Sequence, residues 1–116
     1  MSHSTKRDAD LFENLRQELR RGTLILGVLA QLKREQYGYE LRKALADRGL
    51  AIEENTLYPL LRRLEEQGLL LSEWRFEDKR NKRFYRLAPA GERILQRLLA
   101  EWKLVDSSIA RILREG

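Results

Sequence analysis

Apolar residues recur along most of this chain with the spacing of a helix, and in one stretch with the spacing of strands. From Asp10 onward, Leu11, Leu15 and Leu19 stand four apart, and Leu24, Ile25, Val28, Leu29 and Leu32 extend the stripe. The pattern predicts a helix over residues 10–32, with Asp10 as N-cap and Glu13 completing a capping box. Gly22 marks a point where it kinks or splits into two pieces. Residues 1–8 are small and polar and read as a flexible tail. A second helix opens at Tyr37-Gly38-Tyr39, is carried by Leu41, Ala44 and Leu45, and ends at Gly49. A third runs through Leu57, Leu60, Leu61 and Leu64 to Gly68, with Asn55 or Thr56 as cap. Pro59 suits a first turn, which places that helix start near Asn55.

The pattern then changes. Leu69, Leu70, Leu71, Trp74 and Phe76 precede a wholly polar stretch from Glu77 to Asn81, and Phe84, Tyr85 and Leu87 follow it. Two apolar runs around a polar tip predict a β-hairpin. No Asn-Gly or Asp-Gly pair is present, which favours a turn longer than two residues. Pro89 closes the hairpin and starts a last helix. Its apolar positions Leu95, Leu98, Trp102, Val105, Ile109 and Ile112 alternate intervals of three and four, the seam of a helix that packs against another helix. At 1.5 Å per residue the stretch from Ala90 to Arg114 is about 37 Å long, more than a small core covers. An overhanging seam calls for a partner, most simply a second copy across a two-fold axis. The other reading folds the helix back on its own domain.

Helix, helix, helix, hairpin and long helix make a mainly α chain with a small β-hairpin. The expected architecture is a winged helix-turn-helix with a long C-terminal dimerisation helix. The chain divides into a tail (1–8), the winged domain (9–88) and the dimerisation helix (89–116). The third helix is then placed to enter a DNA major groove with the hairpin beside it.

Composition narrows the chemistry. A length of 116 residues fits one domain, and 42% apolar with 35% charged residues fits an ordinary soluble fold. The longest apolar run, Thr23 to Ala30, is too short to span a bilayer, so no membrane partner is expected. Met1 to Asp10 lacks the apolar stretch of a signal peptide, and the default compartment is the cytoplasm. The absence of cysteine rules out disulfides and thiolate metal sites. The one histidine, His3, lies in the tail, and no Gly-rich phosphate loop or nucleophile elbow occurs. Neither an enzyme, nor a cofactor, nor a metal site is expected.

The net charge of +5 matters through its placement. Lys79, Arg80, Lys82, Arg83 and Arg86 lie in a stretch of the hairpin without an acid, and their charges equal the whole surplus. Such a wing suits phosphates or a minor groove, unless it is simply a solvated hairpin. From Ala51 to Gly68, by contrast, Glu53, Glu54, Glu65 and Glu66 outnumber Arg62 and Arg63, a net of −2. The recognition helix should therefore read bases through a few polar side chains. Thr56 and Tyr58 lie at its N-terminal end, where the helix dipole and free N–H groups favour phosphate; Arg62 shares the Tyr58 face, Arg63 follows it, and Asn55 either caps the helix or touches a base. Tyr39, at the start of the second helix, and Tyr85, on the wing, join this DNA-facing set.

These motifs carry a resemblance. Tyr37-Gly38-Tyr39-Glu40-Leu41 resembles the second-helix signature of PadR-type transcriptional regulators. The segment from Thr56-Leu57-Tyr58-Pro59 to Gly68-Leu69 resembles that family's recognition helix, and Lys82 to Leu87 followed by Gly91 is similar to its wing motif. The resemblance spans about Gly22 to Ile112. It implies a homodimeric winged-helix protein of the compact subgroup, usually a repressor that leaves a palindromic operator when a small molecule binds. Two departures stand out. Ala88 replaces a common Thr that caps the last helix, so its first turn is expected to fray, and Asn55 stands where Gly or Ser is usual. The stretch before Arg20 is longer than the family minimum.

Trp102 has two readings. It fills the dimer seam as a core aromatic, or, near its symmetry mate, it flanks a flat apolar effector in a pocket lined also by Leu15, Leu19 and Leu98. At the level of function, the alternative to DNA binding is a winged helix that serves protein contacts only.

Overall fold

The computed structural model describes residues 2–115, with side chains from Thr5 onward. Helix α1 spans Ser2–Gln31, β1 Gln36–Tyr37, α2 Gly38–Asp47 and α3 Glu54–Glu66. Strands β2 (Leu70–Glu77) and β3 (Arg80–Leu87) follow, and α4 spans Pro89–Glu115. The strands form one antiparallel sheet in the order β1-β3-β2.

One core holds these elements. Val28, Leu29 and Leu32 of α1, Leu41 and Leu45 of α2, Leu57, Leu61 and Leu64 of α3, Leu70, Tyr85 and Leu87 of the sheet, and Leu95 of α4 are all buried together. Leu60, a core position by spacing, is only partly buried against this cluster. Helices α2 and α3 end alike. Gly49 and Gly68 take left-handed φ values of 91° and 80°, and the next N–H turns back onto the last turn, Leu50 onto the Leu45 carbonyl and Leu69 onto that of Leu64. Arg20 ties α1 to the end of α2 by donating to the Gly49 carbonyl at 2.9 Å.

Several expectations are corrected. Helix α1 is continuous from Ser2, so residues 2–8 of the segment read as a tail are helical, and Met1 lies outside the described residues. Gly22 does not break it: the helix runs through this position to Gln31. Asp10 and Glu13 lie inside this helix, where Glu13 pairs with Arg16 at 3.1 Å instead of capping. Helix α3 begins at Glu54 with Glu53 as N-cap, so Asn55 and Thr56 are first-turn residues and Pro59 sits one turn further in. The Pro59 ring there withholds the N–H that would meet the Asn55 carbonyl.

The hairpin turn is shorter than expected. Glu77 pairs with Arg80, leaving Asp78 and Lys79 as a two-residue turn, both with positive φ (53° and 64°). This is the geometry that Asn-Gly usually supplies. Here it forms without glycine, and Asp78 accepts from Lys82 at 3.0 Å beneath it. The third strand, β1, escaped the sequence reading because two residues carry no periodicity. At the other end of the sheet the first turn of α4 is formed: Glu92 N donates to the Ala88 carbonyl, and the buried Ala88 donates to that of Leu69. Backbone contacts thus tie this turn to the chain without a Thr cap.

The outer parts of two helices leave the core. Leu11, Phe12, Leu15 and Leu19 on α1, and Trp102, Leu104, Val105, Ile109, Ile112 and Leu113 on α4, are all exposed. The a/d seam of α4 therefore has two halves. Leu95 is fully enclosed by its own chain and Leu98 packs partly against that core, so Leu95 is corrected from interface to core. From Trp102 to Ile112 the same stripe faces solvent.

Candidate nucleic-acid interface

The start of α2, the face of α3 and the wing border one groove of about 750 Å³. Tyr37, Tyr39, Tyr58, Trp74 and Tyr85 line it, interleaved with Arg62, Arg80, Lys82 and Arg83, and no acid does. Gly38 makes the floor possible. A Cβ there would lie 2.5 Å from the Tyr58 ring, so only glycine lets α3 lay this tyrosine across the start of α2. Glu40 accepts from the Tyr37 N–H at 3.2 Å and fixes that start. Tyr39 is exposed and stacks on Tyr37, with ring centroids 6.5 Å apart. Tyr37 in turn meets the edge of Phe84, its neighbour across β1 and β3.

Strand alternation sorts the wing into two faces. Ser72, Trp74, Arg83 and Tyr85 share one, and Glu73, Arg75, Lys82 and Phe84 the other. On the second face Arg75 lies 4.4 Å over the Phe84 ring and pairs with Glu35 at 2.8 Å and with Glu73. The Glu73 hydrogen bond leads the causes that raise its pKa above the ordinary guanidinium range. Lys82 lies 4.5 Å over Tyr37, and its hydrogen bond to Asp78 raises its pKa.

The five basic residues of the wing are therefore not equivalent. Lys82 is held by Asp78 and Tyr37, and Arg83 pairs with Glu65 of α3 at 2.8 Å. Lys79 and Arg80 at the tip and Arg86 at the base are exposed and make no ion pair among the described residues. The wing stretch has no acid of its own, yet Lys82 and Arg83 are paired from outside it, by Asp78 and Glu65. Tyr85 is corrected as well. It is 4% exposed, its ring belongs to the core, and burial pushes its phenol above the ordinary range despite the opposing field of Arg83.

On α3, Asn55, Thr56, Arg62 and Arg63 are exposed and Tyr58 is half-buried. The structure brings Tyr58 and Arg62 to the wing groove. Asn55, Thr56 and Arg63 border a second groove of about 530 Å³ against α1, with Leu24, Ile25, Pro59 and Leu60. The acidity of α3 is half cancelled within the chain, because Glu54 pairs with Arg42 of α2 at 2.8 Å and Glu65 with Arg83. The sequence reading missed Trp74 and Gly38 as groove residues. An aromatic at an alternate strand position beside Arg83 was the available signal for Trp74. Of the effector-pocket residues, Leu15, Leu19 and Trp102 are exposed and Leu98 is partly buried. Among the described residues no cluster of His, Cys, Asp and Glu could hold a metal ion, and no helix is long and apolar enough to cross a membrane.

Comparison with known proteins agrees with this fold. The model of the transcriptional regulator PadR-like family matches residues 25–97. A crystal structure of a PadR family transcriptional regulator from Eggerthella lenta is 43% identical, with a TM-score of 0.90, over 96% of this chain and 99% of that one. A PadR-like transcription factor from Bacteroides fragilis is 32% identical, with a TM-score of 0.73, over 85% of this chain and 98% of that one. The transcriptional regulator Rv3488 of Mycobacterium tuberculosis is 46% identical over 61 residues, which is 53% of this chain. The matched stretch spans 57% of that relative's length.

Proposed function

Because the chain belongs to the PadR-like family of transcriptional regulators, we propose that it is a homodimeric cytoplasmic repressor that binds a palindromic operator in duplex DNA and leaves it when a small aromatic effector binds. The observation that carries the DNA reading is the groove between α3 and the wing, lined by aromatic rings and cations without an acid. In the proposed complex α3 enters the major groove. Tyr58 and Arg62 read base edges, Asn55, Thr56 and Arg63 contact the flanking backbone or bases, and Tyr39 reaches phosphate. Lys79 and Arg80 extend the contact at the wing tip toward the minor groove. A protein-contact module would more often present an acidic or apolar surface at this place.

The exposed half of the α4 seam supports the dimer. Trp102, Val105, Ile109 and Ile112 form one apolar stripe beyond the core, which water leaves uncovered in a single chain. A second copy across a two-fold axis covers it, and two-fold symmetry of the protein then matches a palindromic site. Trp102 and its mate, with Leu15, Leu19 and Leu98, line the proposed effector pocket. Selection of bound duplexes from a random pool tests the reading. It should recover a palindrome with half-sites about 10 base pairs apart or a multiple of that. Recovery of no preferred sequence would refute operator binding.

A further inference from the structure

Arg83 lies in the most basic segment of the chain, yet its guanidinium is turned inward. Its Nη2 donates to Oε1 of Glu65 on α3 at 2.8 Å, and its Nε donates to Oγ of Ser72 at 3.0 Å. Ser72 Oγ in turn donates to Oε2 of Glu65 at 2.6 Å. The three side chains close a ring of hydrogen bonds that uses both carboxylate oxygens and the Nε–Nη2 edge of the guanidinium. All three are partly buried, and Arg83 also lies 5.6 Å from the Trp74 ring and 5.5 Å from the Tyr85 ring.

The position of this ring in the wing gives it leverage. Strand β1 supports β3 only at Tyr85 and Phe84. From Arg83 outward the wing is a two-stranded ribbon with no third strand beside it. The ring therefore grips the ribbon where sheet support ends, and it grips from the recognition helix itself. Arg75 on Glu35 and Lys82 on Tyr37 brace the opposite face toward β1, not toward α3. Three strand residues separate Arg83 from the turn, so Lys79 lies four residue steps away, about 13 Å, and a tilt of about 10° at the ring moves the tip by about 2 Å. That distance decides whether a tip cation meets a phosphate oxygen.

We propose that Glu65, Ser72 and Arg83 are positioning residues that lock the angle between wing and recognition helix, and so set sequence selectivity without touching DNA. The proposal rests on the DNA-binding reading for its consequence and on the chain alone for its mechanism. Glu65 then has a reason to be acidic on a DNA-facing helix: it orients Arg83 and cancels its charge. Selectivity depends on the angle, because α3 and the wing must engage their grooves in one register.

Two readouts test this. In the first, fluorescence anisotropy follows binding to the duplex recovered by selection and to a scrambled duplex, for Glu65→Gln, Ser72→Ala and Arg83→Lys. Each variant should bind the scrambled duplex with an unchanged salt slope, while its preference for the selected duplex falls about tenfold. The Glu65→Gln/Arg83→Lys double variant should lose no more than the worse single variant, because both break one ring. If Arg83 were instead a phosphate ligand, Arg83→Lys would bind like the parent and Glu65→Gln would bind both duplexes more tightly; that result overturns the proposal. The second readout needs no DNA. The chain has no cysteine, so nitroxides at Gln67→Cys and Glu77→Cys report the helix-to-wing distance cleanly. Labelled chains are diluted with unlabelled ones to remove any distance between copies. The distribution should be narrow in the parent and broader with Glu65→Gln, at an unchanged helical circular dichroism signal. An equally narrow distribution overturns the clamp, whereas loss of DNA binding by the parent refutes the DNA reading and leaves the clamp to be decided by the distances.

Discussion

Replacing Ile109 tests the seam of α4 where it is free of the domain core. Ile109 is 52% exposed, and no buried residue of the chain belongs to its stretch of helix. Fully burying an isoleucine side chain contributes about 1.5–3 kcal/mol, so covering its exposed half adds about 1 kcal/mol per chain. In a symmetric pair both copies count, which makes about 2 kcal/mol for Ile109→Ala. At 1.4 kcal/mol per factor of ten, the proposed dimer should dissociate about 30 times more readily. Ile109→Glu should weaken it further, because each copy then brings a charge into an apolar seam. Sedimentation equilibrium across a range of protein concentrations measures this directly, with circular dichroism as a check that the monomer remains folded. The domain core lies elsewhere, so helicity should be unchanged. Dimer dissociation constants within a factor of three of the parent for both variants would refute the seam as an interface.

Three further expectations follow from single positions. Gly91→Ala should destabilise the fold by about 3 kcal/mol and lower the melting temperature by roughly 10 °C, because its Cβ would lie 2.1 Å from the Leu69 carbonyl oxygen, a backbone atom that cannot step aside. A melting temperature within two or three degrees of the parent, by differential scanning calorimetry, would contradict that packing. Lys79→Gly should stabilise the chain by about 1 kcal/mol, since φ of 64° strains any side chain there, while it weakens DNA binding by removing a tip charge. Thermal melts and anisotropy on the same sample separate the two effects. Arg80→Ala should lower the slope of log affinity against log salt by about 1.8, two phosphate contacts in a dimer at about 0.9 each, on every duplex sequence; an unchanged slope removes Arg80 from the interface.

Helix and hairpin positions were largely legible because burial imposes period. The core leucines of α2 and α3 and the glycines past their ends stand where spacing and turn chemistry place them. What stayed hidden depends on contacts between distant residues. Leu95 and Leu98 carry the same a/d signature as Val105 and Ile109, yet the domain's own core claims the first pair. A repeat along one helix cannot say which partner covers each turn. Likewise the charges of Lys82 and Arg83 read like those of Lys79 and Arg80, and only strand register and the reach of α3 show that Asp78 and Glu65 hold them. Tyr85 reads as a DNA contact from its place on the wing alone, and it is the sheet face turned to the core that decides its place. The turn at Asp78-Lys79 eluded its rule because strand pairing on either side overrides local residue preference.

The central claim, that a dimer holds duplex DNA through α3 and the wing tip, is tested most directly by the salt dependence of duplex binding by the unmodified protein. Lys79, Arg80 and Arg86 of the wing, with Arg62 and Arg63 of α3, make no ion pair among the described residues and are doubled in the proposed dimer. With about six to ten phosphates neutralised, log affinity should fall against log salt with a slope of about −5 to −9, a loss of roughly 10³–10⁵ between 50 and 200 mM. Affinity that stays flat over that range, or no binding of any duplex at the low end of it, would contradict the account.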